Sequence, residues 1–295
     1  MRCACIDIGT NTTRLLVAEE GPGGLRVLAQ ERAFTQLGNL SVLPAAKIDE
    51  VARAVEHHAT LARSLEATRF RVVATGAVRT ASNREDLLEA VREAGGLEVE
   101  VLDPAEEATL AFAGALAAMR PGWAGGRAGS ASKVAVVDVG GGSTELAIGS
   151  STGGVGYTAS MPIGSGRLTD AFIEHDPPRP EELDRIRAHA VAAWEELGEL
   201  PQADVALAVG GSAASLPRLV GERLDEGAVG QALGALAGAP ASAVAERFGL
   251  DARRVALLPA GLIVLEAAAA RLRRPLEVGR GGLREGVVLG LLGAA

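Results

Sequence analysis

Cysteine is nearly absent from this chain of 295 residues, which has only two. Cys3 and Cys5 lie two apart on an expected strand. Their side chains point the same way, yet the strand backbone holds them too rigidly to bridge each other. A disulfide framework is excluded, and a reducing cytosol is the expected setting. Aromatic residues are scarce too, at 3% against 48% hydrophobic. The cores must therefore be built from Ala, Val, Leu and Ile, which suits buried parallel strands and closely packed helices. No basic segment followed by a long apolar core opens the sequence, and no uninterrupted apolar stretch is long enough to span a bilayer. Neither a leader nor a membrane partner is expected. Lysine is confined to Lys47 and Lys133, so nearly all of the 29 basic residues are Arg, the side chain suited to bidentate phosphate contact. The net charge of −8 argues against general attraction to nucleic acid or to an anionic membrane. A polyanionic substrate would need a local basic patch.

Glycine, by contrast, is plentiful and placed with a pattern. "VVDVGGGSTELAIG" (Val136 to Gly149) sets three glycines between two apolar runs, with Asp138 before them and Glu145 after. "CIDIGTNTTRLLVA" (Cys5 to Ala18) has the same layout. A shift of 131 positions (138 − 7) aligns Asp7 with Asp138, Gly9 with Gly140, Thr13 with Thr144 and Leu15 with Leu146. Each copy reads as strand, tight turn, strand. The chain therefore looks like two halves that begin with the same device. The clearest linker signal is the Gly-, Pro- and Ser-rich stretch Arg120–Lys133. The expected organisation is an α/β chain with a first domain over 1–122, a linker over 123–132 and a second domain over 133–295. The final helix, about 283–295, is free to pack back on the first domain.

Between these landmarks the pattern predicts strands at Arg14–Glu19 and about Leu25–Arg32, a helix from about Ala45 to Leu65, and a strand at Arg71–Thr75. His57-His58 falls on that helix and reads as a partly solvated face rather than a metal site, because no paired Cys, His or Asp spacing accompanies it. Gly76–Thr80, carrying Arg79, reads as a loop at a strand's carboxyl end, where α/β folds bind ligands. Ser82 with Glu85 reads as a capping box opening a helix to about Ala94. Asp103 reads as the N-cap of a helix with Pro104 at its first position and Glu106 and Glu107 in its first turn. Complementing the helix dipole is the plain explanation of those two glutamates. Val205–Val209 should be a strand running into the third glycine turn, "GGSAAS", and a later helix should be entered near Pro259.

A turn without β-carbons can aim successive backbone N–H groups at one point and hold an anion there. "DVGGGSTE" adds hydroxyl donors, which suit phosphoryl oxygens. Its carboxylates suit them only with a divalent cation between, and Asp138 with Glu145 would fit Mg²⁺ held partly through water. Asp7 is the equivalent carboxylate of the first half. The pattern predicts a cleft between two similar domains, each gripping phosphate through a hairpin. Two hairpins that need glycine only for positive φ would read the same way.

The segments "DIGTNTTRLLV", "ATGAVRTASN", "EEATLAFAGA", "VVDVGGGSTEL", "IGSGRLTDAF", "LPAGLIVLEA" and "GLREGVVLG" follow one another in an order that resembles the exopolyphosphatase / guanosine pentaphosphate phosphohydrolase (Ppx/GppA) family, in its short form. The resemblance covers nearly the whole chain. It implies two ribonuclease H-like domains of the actin/hexokinase/Hsp70 superfamily around a central cleft. It implies Mg²⁺-dependent hydrolysis of the terminal phosphoanhydride of polyphosphate or of guanosine pentaphosphate, with stimulation by K⁺ open, and by analogy a cytoplasmic homodimer. By motif, Glu107 would orient or deprotonate the attacking water, with Glu106 as the alternative in register. Arg79 would clamp the terminal phosphate. Asp138, Glu145 and Asp7 would lie at the metal. Gly140, Gly141, Gly142, Ser143 and Thr144 would form the phosphate loop, with Thr10, Asn11 and Thr12 in the first hairpin and Gly210, Gly211 and Ser212 in the third glycine turn. Thr109 stands where the family usually has Arg, and "TNT" where it has "TNS". Arg14, Arg84, Arg167 and Arg284 could extend a basic track along a longer polyanion, while each taken alone reads first as a surface or cap residue. A phosphotransferase on the same fold, and a non-catalytic sensor of guanosine alarmones, remain the competing readings.

Overall fold

The computed structural model describes residues 1–119, 132–221, 223–224 and 226–293. All of the linker expected over 123–132 except Ser132 lies outside them. By contact density the chain divides into two units, Met1–Ala118 with Gly281–Ala295, and Met119–Arg280.

The first unit opens with β1 (Arg2–Ile8), β2 (Thr13–Gly21) and β3 (Gly24–Ala33). Then come α1 (Ala45–Ser64), β4 (Arg69–Ala74), α2 (Gly76–Thr80), α3 (Arg84–Gly95), β5 (Val99–Val101) and α4 (Pro104–Ala117). The sheet order is β3-β2-β1-β4-β5, with β1, β4 and β5 parallel and β2 antiparallel to its neighbours. The strand pleat sorts side chains into two cores. Ala4, Ile6, Ile8, Leu15 and Val17 enter the cluster that α1 and α3 cover, with Val51, Val55, Leu87 and Val91. Cys3, Cys5, Leu16 and Ala18 enter the opposite one. β1 is apolar at nearly every position because both its faces are covered. The two thiols are buried and free.

The second unit repeats the plan. β6 (Val134–Val139), β7 (Thr144–Ser150) and β8 (Gly154–Met161) form the meander, followed by α5 (Ser165–Phe172), α6 (Pro180–Glu195), β9 (Val205–Val209) and α7 (Gly210–Ala213). β10 (Arg223–Leu224), α8 (Glu226–Ala237), α9 (Ala241–Phe248), α10 (Ala252–Leu272) and β11 (Leu276–Val278) complete it. The sheet order β10-β11-β9-β6-β7-β8 contains the first unit's order, with β10 added at the edge. The chain then returns to the first unit as α11 (Leu283–Leu292). There Val287 and Val288 close the core around Cys3 and Cys5. α11 lies so close to α4 that a Cβ at Gly114 or Gly286 would collide with the facing backbone.

Several local expectations are corrected. Ser82 and Glu85 form no capping box: the Ser82 hydroxyl donates to the Ser41 carbonyl at 3.0 Å, and α3 starts only after Asn83. Asn83 is itself drawn away by Leu43, whose N–H donates to it at 2.8 Å. Gly76–Thr80 is one short helix rather than a loop, and Gly210–Ala213 is another. The late helix is not entered at Pro259. It starts at Ala252 under an Asp251 cap and carries Pro259 inside. A proline there costs about 3 kcal/mol, which the buried run Leu258, Leu262, Ile263 and Leu265 offsets. By length and composition α10 is apolar enough to cross a membrane, yet it packs as the central helix of its unit.

Candidate active site

Asp7 sits near the end of β1, directly opposite Arg14 on β2, while Asp138 on β6 is directly opposite Glu145 on β7. The 131-residue shift therefore holds in three dimensions, strand for strand and residue for residue. Both turns close alike: Gly9 N–H donates to the Thr12 carbonyl and Gly140 N–H to the Ser143 carbonyl, each at 3.0 Å. None of Gly9, Gly140, Gly141 and Gly142 has positive φ, so the need for a left-handed turn does not explain them.

What the turns share is the use of their carbonyls. The Thr10 and Asn11 oxygens accept from the Gly38 and Gln36 N–H groups at 3.1 Å. The Gly140 and Gly141 oxygens accept from the Ser165 and Arg167 N–H groups at 2.9 Å, and the Gly142 oxygen from Arg167 Nε at 3.0 Å. The amides of Thr10, Asn11, Gly141 and Gly142 donate to no backbone carbonyl among the described residues. Each turn thus has its acceptors tied down while donors remain, the polarity an anion-binding nest requires. Close approach constrains Gly140 and, beside the triplet, Gly164. A Cβ at Gly164 would strike the backbone of Gly141 and Gly142, and one at Gly140 would stand 3.1 Å from the Ser143 oxygen.

In the first unit the parallel strands deliver three loops to one edge. Thr75 N–H donates to the Ile8 carbonyl at 3.2 Å and Leu102 N–H to the Ala74 carbonyl at 3.0 Å. The β1 turn, α2 and the start of α4 are therefore neighbours. Asp103 caps α4, accepting from the Ala105 and Glu106 N–H groups at 2.8 and 2.9 Å. The first turn then splits its two glutamates. Glu107 is buried, and its Oε2 accepts from Arg79 Nη1 at 2.9 Å. Glu106 turns to Arg71, 2.6 Å away. Arg79 Nη1 also donates to the Leu102 carbonyl at 2.8 Å. Its Nε and Nη2 make no hydrogen bond among the described residues, and the side chain lines a cavity of about 340 Å³ with Arg84, Glu85 and Asp103. Thr109 is exposed and donates to the Ala105 carbonyl of its own helix at 2.7 Å.

The carboxylates differ in their surroundings. Asp7 Oδ1 is buried without a hydrogen-bond partner, and burial raises its pKa from the ordinary value even though Arg14 and Arg284 pull it down. Glu145 is buried and accepts from the Ser160 hydroxyl at 2.9 Å. Thr144 is fully buried and donates to the Ile163 carbonyl at 2.8 Å, so its hydroxyl braces the turn. Gly210, at φ +89°, bridges to Val139. A Cβ there would run into Asp138 Oδ1, so the third glycine turn is stitched to the second hairpin. Asp7 in the first unit, and Asp138 with Glu145 facing it across the ladder in the second, each offer oxygen donors of the type that suits a hard divalent cation such as Mg²⁺.

Some sequence expectations fail here. Ser212 buries its hydroxyl against Gly261 of α10 without a hydrogen bond, which does not fit a phosphate-facing role. Arg284 is buried and donates to the Leu15 carbonyl at 3.1 Å, and Arg167 is committed to the glycine triplet, so neither belongs to an exposed basic track. His58 is fully buried rather than part of a solvated face, and only His57 is exposed. Sequence reasoning also missed Gln36 and Gly38, which brace the first turn. Their only trace is a "TQLG" stretch with no periodicity.

Two units that repeat one meander, each opening on an Asp-bearing turn, define ribonuclease H-like domains of the actin-like class. Within that class, the Ppx/GppA phosphatase family model matches residues 16–295, and the chain belongs to that family. Exopolyphosphatase 1 of Mycobacterium tuberculosis is 29% identical over 311 residues, spanning 98% of this chain and 88% of that protein. The crystal structure of the Aquifex aeolicus family member matches with a TM-score of 0.80 and 28% identity, covering 99% of this chain and 97% of that one. An exopolyphosphatase structure from Cytophaga hutchinsonii shares the fold, with a TM-score of 0.86 at 20% identity over 100% and 99% of the two chains.

Proposed function

We propose that this phosphatase-family protein is an exopolyphosphatase that releases terminal orthophosphate from inorganic polyphosphate in the presence of Mg²⁺. Guanosine pentaphosphate is the second substrate to be tested. One observation carries the reading: the first turn of α4 offers two glutamates, and only Glu107 is buried, held at 2.9 Å by Arg79 of the neighbouring α2. Hydrolysis of an anhydride depends mostly on positioning and charge neutralisation. Arg79 Nη1 fixes Glu107 Oε2, and Arg79 Nε and Nη2 present a fork for the terminal phosphate. Glu107 orients a water in line with that phosphorus. The water oxygen forms the new P–O bond, the anhydride bond to the shortened chain breaks, and Glu107 takes the water's proton. The amides of the Gly141–Gly142 and Thr10–Asn11 turns receive phosphoryl oxygens.

Asp138, Glu145 and Asp7 are the residues that would hold Mg²⁺. When bound, the ion supplies neutralisation of phosphoryl charge. The free buried thiols suit a reducing cytoplasm. The deciding experiment measures phosphate release from short polyphosphate, long polyphosphate and guanosine pentaphosphate side by side, with and without Mg²⁺. Mg²⁺-dependent release from polyphosphate supports the proposal. Tight binding of guanosine pentaphosphate with no release from any substrate would make the protein a sensor, and ATP-dependent phosphorylation of an acceptor would make it a phosphotransferase.

A further inference from the structure

Away from these turns, the outer strand β3 and helix α1 bring three metal-binding side chains together. The ligand atoms of Glu31, His57 and His58 all lie within 4.8 Å of one another. Glu31 Oε2 is 3.2 Å from His57 Nε2 and 3.7 Å from His58 Nδ1. His58 is 2% exposed, and its two ring nitrogens have different surroundings. Nε2 lies 3.3 Å from the Thr13 carbonyl, an acceptor, so Nε2 carries the proton and donates. Nδ1 is then a lone pair, buried and without a hydrogen-bond partner, aimed at a carboxylate oxygen. A buried lone pair facing a half-exposed carboxylate oxygen is an arrangement that a cation between them would satisfy. A proton is disfavoured there, because burial lowers the His58 pKa from its ordinary value. A backbone carbonyl that accepts from the far ring nitrogen, fixing tautomer and ring direction, is the support that metal-binding histidines use.

We infer that Glu31, His57 and His58 form a site for a borderline transition-metal ion of the Zn²⁺ type, with water completing the shell. Two imidazoles and one carboxylate suit such an ion and not Mg²⁺. The site is separate from the carboxylates proposed to hold Mg²⁺. It nonetheless reaches the first hairpin, because the Thr13 carbonyl that orients His58 belongs to the first residue of β2.

The test uses the full chain without a histidine tag, in excess Mg²⁺ so that the oxygen-donor sites are filled. Zn²⁺ is titrated against a chromophoric chelator, and Co²⁺ is added in parallel for its visible absorption. The expected result is one Zn²⁺ per chain, a Co²⁺ spectrum of nitrogen–oxygen coordination, and a Tm that rises with Zn²⁺. His57→Ala and Glu31→Gln should each weaken Zn²⁺ binding by about 10- to 100-fold and abolish the Tm rise. Both side chains are exposed enough that the fold survives their loss, which circular dichroism checks. Zn²⁺ affinity and Co²⁺ spectrum unchanged in His57→Ala, or no Zn²⁺ bound by the wild type, would overturn the inference.

Discussion

In the first unit each acidic residue of interest faces an arginine. Asp7 lies opposite Arg14, Glu107 is held by Arg79, and Glu106 by Arg71. In the second unit the corresponding carboxylates face each other, Asp138 across the ladder from Glu145. The backbone device is the same in both, down to the 3.0 Å bond that closes each turn. Of the charged positions in the two copies, the aspartate is shared and the residue after the hydroxyl differs, Arg14 in one copy and Glu145 in the other. A duplicated hairpin has thus been given two electrostatic tasks, and one substitution sets them. An oppositely charged cross-strand pair is mildly stabilising, whereas a like-charged one costs energy unless a cation intervenes. Under the proposed function, Asp138 and Glu145 of the second hairpin would supply most of the carboxylates for the metal, and Arg79 and Glu107 of the first unit would meet the terminal phosphate and the water.

The largest effect should follow from breaking the pairing in the first unit. Arg79→Ala removes a charge-assisted hydrogen bond to the buried Glu107, a loss of about 1.5–3 kcal/mol in stability. It should also lower kcat/KM for polyphosphate by about 10²–10³. Arg79→Lys should recover the stability but little of the rate, because a point charge cannot reproduce the fork. Equal recovery of both would make Arg79 merely structural.

In the second unit, Glu145→Gln removes one of two facing negative charges. The Mg²⁺ concentration giving half-maximal activity should rise by about 10- to 100-fold, with the fold retained. An unchanged Mg²⁺ requirement would move the metal elsewhere. The glycine contrast is smaller. Gly164→Ala should cost about 1–3 kcal/mol, since its methyl has no room against Gly141 and Gly142. Gly9→Ala, whose Cβ stands 3.3 Å from the Thr12 oxygen, should cost less than about 1 kcal/mol. Urea unfolding compares the two, and the reverse order would contradict the close-approach explanation.

The smallest effect concerns Asp7 and pH. Burial holds its carboxyl above the ordinary value of 3.8, so the folded chain binds that proton more tightly than the unfolded one. Stability from this group is complete below the unfolded value and is lost as pH rises through the raised one. At neutral pH without Mg²⁺ the ionised side chain is a net cost, and Asp7→Asn should have a higher Tm than the wild type. The gap should close as pH falls toward about 4 or as Mg²⁺ is added. A lower Tm for Asp7→Asn at neutral pH would mean that Arg14 and Arg284 already compensate the charge.

Much of this was legible in the sequence, for reasons that differ by element. The hairpins were readable because their signal is local: an apolar run, a carboxylate, small residues, and a second apolar run at a fixed offset. The Asp103 cap was readable because Pro104 and the first-turn glutamates reinforce it. The capping box at Ser82 failed because a distant segment, Ser41 to Leu43, competes for the same polar groups. Pro259 misled because tertiary burial of α10 outweighs a local penalty. The difference between Glu106 and Glu107 was carried by the family motif alone, because the local pattern does not separate them. Adjacent positions on a helix are about 100° apart, and only the placement of Arg71 and Arg79 on the neighbouring β4 and α2 decides which is buried. The pairing of β3 with α1, which gathers Glu31 with the two histidines, is likewise a product of topology.

The assignment of water activation to Glu107 is tested most directly by single-turnover release of phosphate from bound polyphosphate, with Glu107→Gln beside Glu106→Gln. Binding of the substrate is measured on the same samples. Glu107→Gln should slow release by about 10²–10⁴ with binding intact, while Glu106→Gln, which loses a half-buried ion pair with Arg71 and no contact to the water, stays within about twofold of the wild type. Release by Glu107→Gln at the wild-type rate, or equal losses in the two variants, would contradict it.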